Sequence, residues 1–137
     1  MSQENVEIVR RVYAAISKQD AATVLDFYDP KVVWDFTASP FAPMLRQTVY
    51  EGHQGIKTLI HERREEAWQT VSDDLDELID AGDAVIGVVT SRGRGRVSGV
   101  ETAMTHAAVW TIRDGKVLRV EWFGTRSEAL EAAGLSE

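Results

Sequence analysis

Apolar side chains near the start of the chain fall at Val6, Val9, Val12, Tyr13 and Ile16. That three-and-four spacing lines one face of an amphipathic helix over residues 3–17, with Ser2 placed as its N-cap. Asp20 is set to cap a second, short helix that buries Val24, Leu25, Phe27 and Tyr28, and Pro30 shuts it off. VVWDF, residues 32–36, then reads as a strand, and TASPFAPML, with Pro40 and Pro43, as a loop. After Gly52, the residues Ile56, Leu59, Ile60, Arg63, Ala67 and Trp68 share one helical face with a single charged interruption. This predicts the longest helix, over residues 54–69.

Beyond that helix the period changes. Leu75, Leu78 and Ile79, then AVIGVVTS, AMTHAAVWTI and KVLRVEWF, form successive strand-like runs. Ala81-Gly82-Asp83, Val97-Ser98-Gly99 and Asp114-Gly115 separate them as turns, which predicts an antiparallel meander of about four strands. At the end, Thr125 and Glu128 have capping-box spacing, Ala129, Leu130 and Ala133 give an apolar side, and Gly134 is a stop. The order of helix, helix, strand, long helix and sheet predicts one α+β domain over residues 1–137. In such a domain helices lie on one face of a curved antiparallel sheet, whose concave side can enclose a pocket.

Composition narrows the functional classes. Hydrophobic residues at 44% and charged residues at 27% are ordinary for a globular domain, and no apolar run approaches the roughly 20 residues that cross a bilayer. With no cysteine, disulfides, thiolate nucleophiles and cysteine-based metal sites are excluded. The net charge of −7, from 15 basic and 22 acidic residues, repels a phosphate backbone, so nucleic acid is not an expected partner. MSQENVEIVRRVY lacks the basic start and apolar stretch of a secretory leader, and a cytoplasmic location without membrane attachment is the expectation.

The stretches NVEIVRRVYAAISKQDAATVLDFYDPKVVW, YEGHQGIKTLI and DGKVLRVEWFGTRSEALEAAGL, in that order, resemble the SnoaL-like proteins of the nuclear transport factor 2-like superfamily. The likeness runs from about residue 4 to residue 135. It implies a cone-shaped α+β barrel, a curved sheet wrapped around a long helix with two N-terminal helices, commonly dimeric through the outer face of the sheet. Members with known chemistry include ketosteroid isomerases, polyketide cyclases, limonene epoxide hydrolases and scytalone-type dehydratases, and most work by acid–base chemistry without a metal. No cofactor is implied.

Carried over residue by residue, the isomerase base position falls on Asp35, while the positions of its two oxyanion donors fall on Val12 and near Ala108. The cyclase acid–base position also falls near Ala108, with His106 on the same side of the strand by alternation. The last-strand acid of the epoxide hydrolases matches Glu121. That match selects Arg119, Glu121 and Phe123 as inward-facing, together with Met104, His106 and Trp110. The resulting expectation is a catalytic group of Asp35, His106, Glu121 and Arg119, walled by Tyr13, Trp68, Met104, Trp110 and Phe123. It would act on a small hydrophobic molecule by isomerisation, cyclisation or hydration. The alternative is a non-catalytic module of the same fold that binds a small ligand or a partner.

Other motifs read as solvated structure. SRGRGRVSG, with Arg92, Arg94 and Arg96, has no helix after it and fits a hairpin tip better than a phosphate loop. His53 and His61 lack a third ligand at metal spacing, so no metal is expected. HERREE, residues 61–66, is read as the solvated side of the long helix, and Trp34, Trp110 and Trp122 chiefly as core or interface residues.

Overall fold

In the computed structural model, which describes residues 2–135, a six-stranded sheet carries helices on both faces. Helix α1 spans Ser2–Ser17 and buries Val9, Val12, Tyr13 and Ala15, as the three-and-four spacing requires. Ser2 is the helix's first residue rather than a cap before it, and its side chain lies outside the described residues. Helix α2 spans Ala21–Asp26, and Asp20 caps it by accepting from the Thr23 N–H at 3.2 Å and the Thr23 hydroxyl at 2.6 Å. Strand β1, Tyr28–Asp35, follows immediately, so Pro30 lies inside the strand and not at the helix end.

The stretch expected to be the longest helix is shorter and changes its winding. Helix α3 covers Gly52–His61, and a π-helical turn continues it over Glu62–Ala67, while α1 is longer at 16 residues. Trp68 already belongs to the next strand. Two elements lay outside the hydrophobic pattern. Strand β2, Val49–Glu51, is three residues long, and a 3-10 turn at Ala42–Met44 interrupts the preceding loop.

The four-stranded meander is present as β3 (Trp68–Asp80), β4 (Ala84–Gly95), β5 (Glu101–Arg113) and β6 (Lys116–Phe123), antiparallel throughout. Its β5–β6 turn, Asp114-Gly115, has both residues at positive φ, the geometry that closes a two-residue hairpin without splaying its strands. Strand β1 joins β6 in parallel and β2 in antiparallel fashion, giving the order β2-β1-β6-β5-β4-β3. The fold class is α+β, a curved six-stranded sheet with four α-helices forming the cone described for the superfamily.

Each face has its own core. Val85, Val89, Ala108, Trp110, Ile112, Val120 and Trp122 pack with α1, α2 and α3 on one face. Ile86, Val88, Ala107 and Val109 alternate to the other face, where Ala129 and Leu130 of α4, Arg126–Ala132, cover them. Thr125 caps α4 as its spacing predicts, accepting from the Glu128 N–H at 3.1 Å. Among the described residues no helix is long and apolar enough to cross a membrane.

Candidate functional site

Strand register decides which candidate side chains meet. In β5, Ala108 lies opposite Trp122 and Trp110 opposite Val120, so these four, with His106 and Met104 by alternation, face α1–α3. Ala107 lies opposite Phe123, Val109 opposite Glu121 and Thr111 opposite Arg119, and these face the α4 side. Asp35 lies beside Glu121 in the parallel β1–β6 pair, which places it on the α4 side too. The expected single group is therefore divided. Asp35, Arg119, Glu121 and Phe123 occupy one face; His106, Met104 and Trp110 occupy the other, with Tyr13 and Trp68 packed over it.

A one-residue bulge produces the division. Arg113 pairs with Lys116 and Ile112 with Val117, but Thr111 then pairs with Arg119, so Leu118 is the extra residue. A regular hairpin would set Trp110 opposite Arg119 and put both on one face. Because side chains alternate with period two, one inserted residue reverses every later position of β6.

On the α4 face, Asp35 is held by two donors. Arg119 donates from Nη2 to Asp35 Oδ2 at 2.8 Å and lies 3.3 Å, through Nε, from Glu121 Oε1. Thr37 donates its backbone N–H to Asp35 Oδ1 at 2.9 Å. Partial burial opposes ionisation of Asp35, but the Thr37 hydrogen bonds and the Arg119 guanidinium outweigh it and hold the carboxyl below the usual range. Two lone-pair directions are thus committed to structural partners, which suits an anchored charge better than a proton shuttle.

The opposite face holds a polar chain set in aromatic rings. Arg63, turned inward by the π-helical segment, donates from Nη2 and Nη1 to the two oxygens of Asp73 at 2.6 and 2.7 Å. Ser91 donates to Asp73 Oδ1 at 2.7 Å, and His106 Nε2 lies 2.9 Å from the Ser91 hydroxyl. Register explains the chain: Asp73 pairs with Ser91 across β3–β4, and Ser91 pairs with Met104, two residues from His106 on the same face of β5. His106 is only 4% exposed, stacked on Trp122 with centroids 4.6 Å apart and met edge-on by Phe41 at 5.2 Å.

Charge follows from this burial. Burial lowers the His106 imidazole to about 4, with the Asp73 carboxylate opposing and Arg63 reinforcing the shift. Burial also works against the Asp73 charge, yet the Arg63 and Ser91 hydrogen bonds prevail and keep its carboxyl below the ordinary value. At neutral pH the chain is a paired ion, a hydroxyl and a neutral imidazole.

From His106 the rings continue inward. Trp122 lies 5.5 Å from Trp34, Trp34 lies 5.8 Å from Trp110, and Trp110 lies 5.5 Å edge-on from Tyr13, with Tyr28 packed beside Trp34 and Trp110. Among the described residues, six buried side-chain polar atoms have no protein hydrogen-bond partner: Tyr13 Oη, Tyr28 Oη, Trp34 Nε1, His106 Nδ1, Trp110 Nε1 and Trp122 Nε1. All six belong to this one aromatic layer, and four of them approach in pairs, the Trp110 indole beside the Tyr13 phenol and the Trp34 indole beside the Tyr28 phenol, each indole acting to lower its phenol. Burial, followed by the nearby Asp73 charge, pushes the Tyr13 phenol far above its usual range, and burial does the same to Tyr28.

Two expected wall residues sit at the rim. Met104 is half-buried, and the half-buried Trp68 lays its ring over Gly93, where an added Cβ would come within 2.7 Å of it. Sequence reasoning missed Arg63, Asp73, Ser91 and Phe41 as site residues, and it assigned Trp34 and Trp122 to core or interface alone. The signal available for Ser91 and Asp73 was their alternation in phase with the inward side of β3 and β4, which becomes informative only once the register is known.

HERREE is not simply the solvated side of a helix, since Arg63 turns inward to Asp73 and Glu62 accepts from the Tyr50 hydroxyl, and Arg92 and Arg94 lie within β4 short of the hairpin tip. Arg92 pairs with Asp74 and Arg94 with Glu101, and Val97 at the hairpin tip is 98% exposed. His53 bonds the Tyr28 carbonyl while His61 faces Glu66, so the two histidines serve different local contacts.

Comparison with known proteins agrees with this architecture. The family model described as SnoaL-like domain matches residues 9–120. No curated protein sequence matches the chain. Among solved structures, a nuclear transport factor 2-like protein from Burkholderia thailandensis is 29% identical, with 95% of this chain and 96% of that chain covered and a TM-score of 0.76. TerC, co-crystallised with polyporic acid, is 23% identical over 96% and 98% of the two chains, with a TM-score of 0.77. A candidate polyketide cyclase from Sinorhizobium meliloti is 20% identical over 89% and 98%, with a TM-score of 0.68. With a family model spanning most of its length and a superimposable cone, the chain belongs to the SnoaL-like family of the nuclear transport factor 2-like superfamily.

Proposed function

We propose that this chain binds a small, oxygen-bearing ring compound in the aromatic layer between α1–α3 and the sheet, and that His106 takes a proton from it. One observation carries the reading: His106 Nδ1 and Trp122 Nε1, on two stacked and deeply buried rings, have no protein partner, and the Tyr13 and Tyr28 hydroxyls beside them have only the indoles of Trp110 and Trp34 to meet. Leaving such a group unsatisfied costs about 1–3 kcal/mol. Unsatisfied and weakly satisfied polar groups gathered in one layer are what a ligand of matching polarity would relieve. Indole N–H groups only donate and phenols donate or accept, so the complement is a molecule with several carbonyl or hydroxyl oxygens.

The chemistry follows from the imidazole's charge. With a value of about 4, His106 is neutral at pH 7 and acts as an acceptor. So weak a base is matched to an acidified proton, an enolic O–H or a C–H between two carbonyls. In the proton-transfer step Nδ1 gains that proton, the bonding electrons pass to the substrate as an enolate, and indole or phenol donors stabilise its oxygen. Return of the proton at another atom gives isomerisation or supports ring closure. Family membership and a fold neighbour co-crystallised with polyporic acid favour a ligand of this class. A second copy pairing through the α4 face is the accompanying proposal for assembly, tested by light scattering.

The test titrates β-diketones and hydroxyquinones into the protein and follows tryptophan fluorescence, with deuterium exchange at the diketone C–H as the chemical readout. Binding with accelerated exchange, both weakened about tenfold or more in His106→Gln, is the expected result. Binding without exchange selects the non-catalytic ligand-binding reading. Absence of binding across the panel at millimolar concentration overturns the proposal.

A further inference from the structure

Which nitrogen of His106 carries its proton determines whether Nδ1 can accept anything, and the neighbouring residues settle that question. A serine hydroxyl has one proton to donate. The Asp73 carboxylate, fixed by two Arg63 hydrogen bonds at 2.6 and 2.7 Å, offers only lone pairs, so the 2.7 Å contact with Ser91 consumes the serine's proton. Ser91 then has only a lone pair left for the 2.9 Å contact with His106 Nε2, which makes Nε2 the N–H. A neutral imidazole has a single N–H, and Nδ1 is left bare. If Ser91 instead donated to His106, a carboxylate whose side chain is 11% exposed would lose a partner, and Nδ1–H would add another unpaired donor to the aromatic layer.

We propose that Asp73 and Ser91 form a tautomer lock: anchored by Arg63, they assign the His106 ring proton to Nε2 and so keep Nδ1 as a lone pair facing the aromatic layer. This deepens the function proposed above and rests on it for its purpose, though not for its geometry. Asp73 and Ser91 are positioning residues that act through the imidazole. The lock spans the π-helical segment and strands β3, β4 and β5, so it also ties the end of α3 to the sheet beneath His106. Orientation of a histidine by a second-layer carboxylate commonly governs its reactivity, and loss of the correct tautomer is costly even where geometry is preserved.

Long-range proton–nitrogen correlation spectra of the uniformly 15N-labelled full chain, recorded without ligand at pH 7, report the tautomer directly. The wild type is expected to show His106 Nε2 protonated and Nδ1 bare. In the double variant Arg63→Met with Asp73→Leu, the Ser91 proton has no carboxylate to reach and turns to Nε2, so the protonated nitrogen is expected to switch to Nδ1. Ser91→Ala is expected to show both tautomers, and Ser91→Thr to restore the wild-type pattern. A wild type protonated at Nδ1, or a double variant that keeps Nε2–H, overturns the lock. Should the double variant fail to fold, the wild-type spectrum and the Ser91→Ala and Ser91→Thr pair still decide. These spectra need no ligand, so the lock and the proposed function can fail separately. A β-diketone that leaves the Nδ1 signal of a correctly locked His106 unmoved counts against the function alone.

Discussion

His106 and Asp35 face opposite sides of the same sheet, His106 toward α1–α3 and Asp35 toward α4. A single sheet thickness of backbone separates two groups that share no hydrogen-bonding partner. Asp35→Asn is therefore expected to leave the His106 nitrogen shifts and any β-diketone affinity unchanged. It should cost at most about 1 kcal/mol in urea unfolding, because its partner Arg119 is 40% exposed and the ion pair is screened. A loss of ligand affinity in this variant would return Asp35 to the binding machinery.

The imidazole's burial predicts a pH dependence of stability. A group whose folded value lies below its unfolded value binds more protons when unfolded, so stability falls as pH drops from the unfolded value toward the folded one. For His106 that window runs from 6.5 down to about 4. The wild type should lose about 2 kcal/mol between pH 7 and pH 5, as read from urea midpoints. His106→Gln, which keeps a donor for Ser91 and removes the titration, should lose much less over the same interval. Parallel pH profiles for the two proteins would contradict the assignment.

The half-buried ion pair beneath Ser91 should behave differently when broken and when replaced. Arg63→Ala strands the Asp73 charge, whose side chain is 11% exposed, and is expected to cost about 3 kcal/mol. Replacing both partners, as Arg63→Met with Asp73→Leu, removes the stranded charge together with its desolvation penalty and should recover most of that loss. Equilibrium unfolding of Arg63→Met, of Asp73→Leu and of the double variant gives the coupling energy. Additive losses would mean that the pair has no mutual dependence.

What the sequence made legible was local. Asp20 and Thr125 cap their helices because the capping oxygen and the N–H that donates to it lie three residues apart. The β3–β6 meander was visible because turn residues such as Asp114-Gly115 mark their own backbone geometry. The winding change in Glu62–Ala67 left no periodic mark strong enough to separate it from α3, and the early part of β3 was illegible because Trp68 continues the apolar helical face while most residues from Gln69 to Asp74 are polar at a sheet edge. The facing of β6 departs from the alternation expected across β5 and β6 at one point, the bulge at Leu118. Alternation within β5 and within β6 was correct in each strand; coupling the two needs a register, and nothing in KVLRVEWF marks which residue is extra. Glu121 matched a family acid by position and was drawn inward on that ground, while the bulge turns it outward. Asp73, Ser91 and His106 are far apart in sequence and meet only through two strand pairings.

Two glycines in β4 test the space above this face, and they should respond in opposite ways. At Gly93 an added Cβ would sit 2.7 Å from the Trp68 ring and 2.9 Å from the Thr70 carbonyl, and the carbonyl belongs to backbone that cannot yield cheaply. Gly93→Ala is expected to destabilise the fold by about 1–3 kcal/mol, the usual range for overpacking, and to shift Trp68 fluorescence. At Gly87 the nearest atoms are Trp110 Nε1 at 3.5 Å and Tyr13 Oη at 3.6 Å, ordinary contact distances at an indole–phenol pair with no further partner. Gly87→Ala should therefore fold with stability within about 0.5 kcal/mol of the wild type, as expected where no named destabilising mechanism applies. Its methyl group nevertheless lies against the polar atoms that a ligand oxygen would need, so β-diketone affinity should fall about fivefold or more. The discriminating measurement is affinity at matched stability. Unchanged binding in a well-folded Gly87→Ala would place the ligand away from Tyr13 and Trp110, confining it to the His106 end of the aromatic layer.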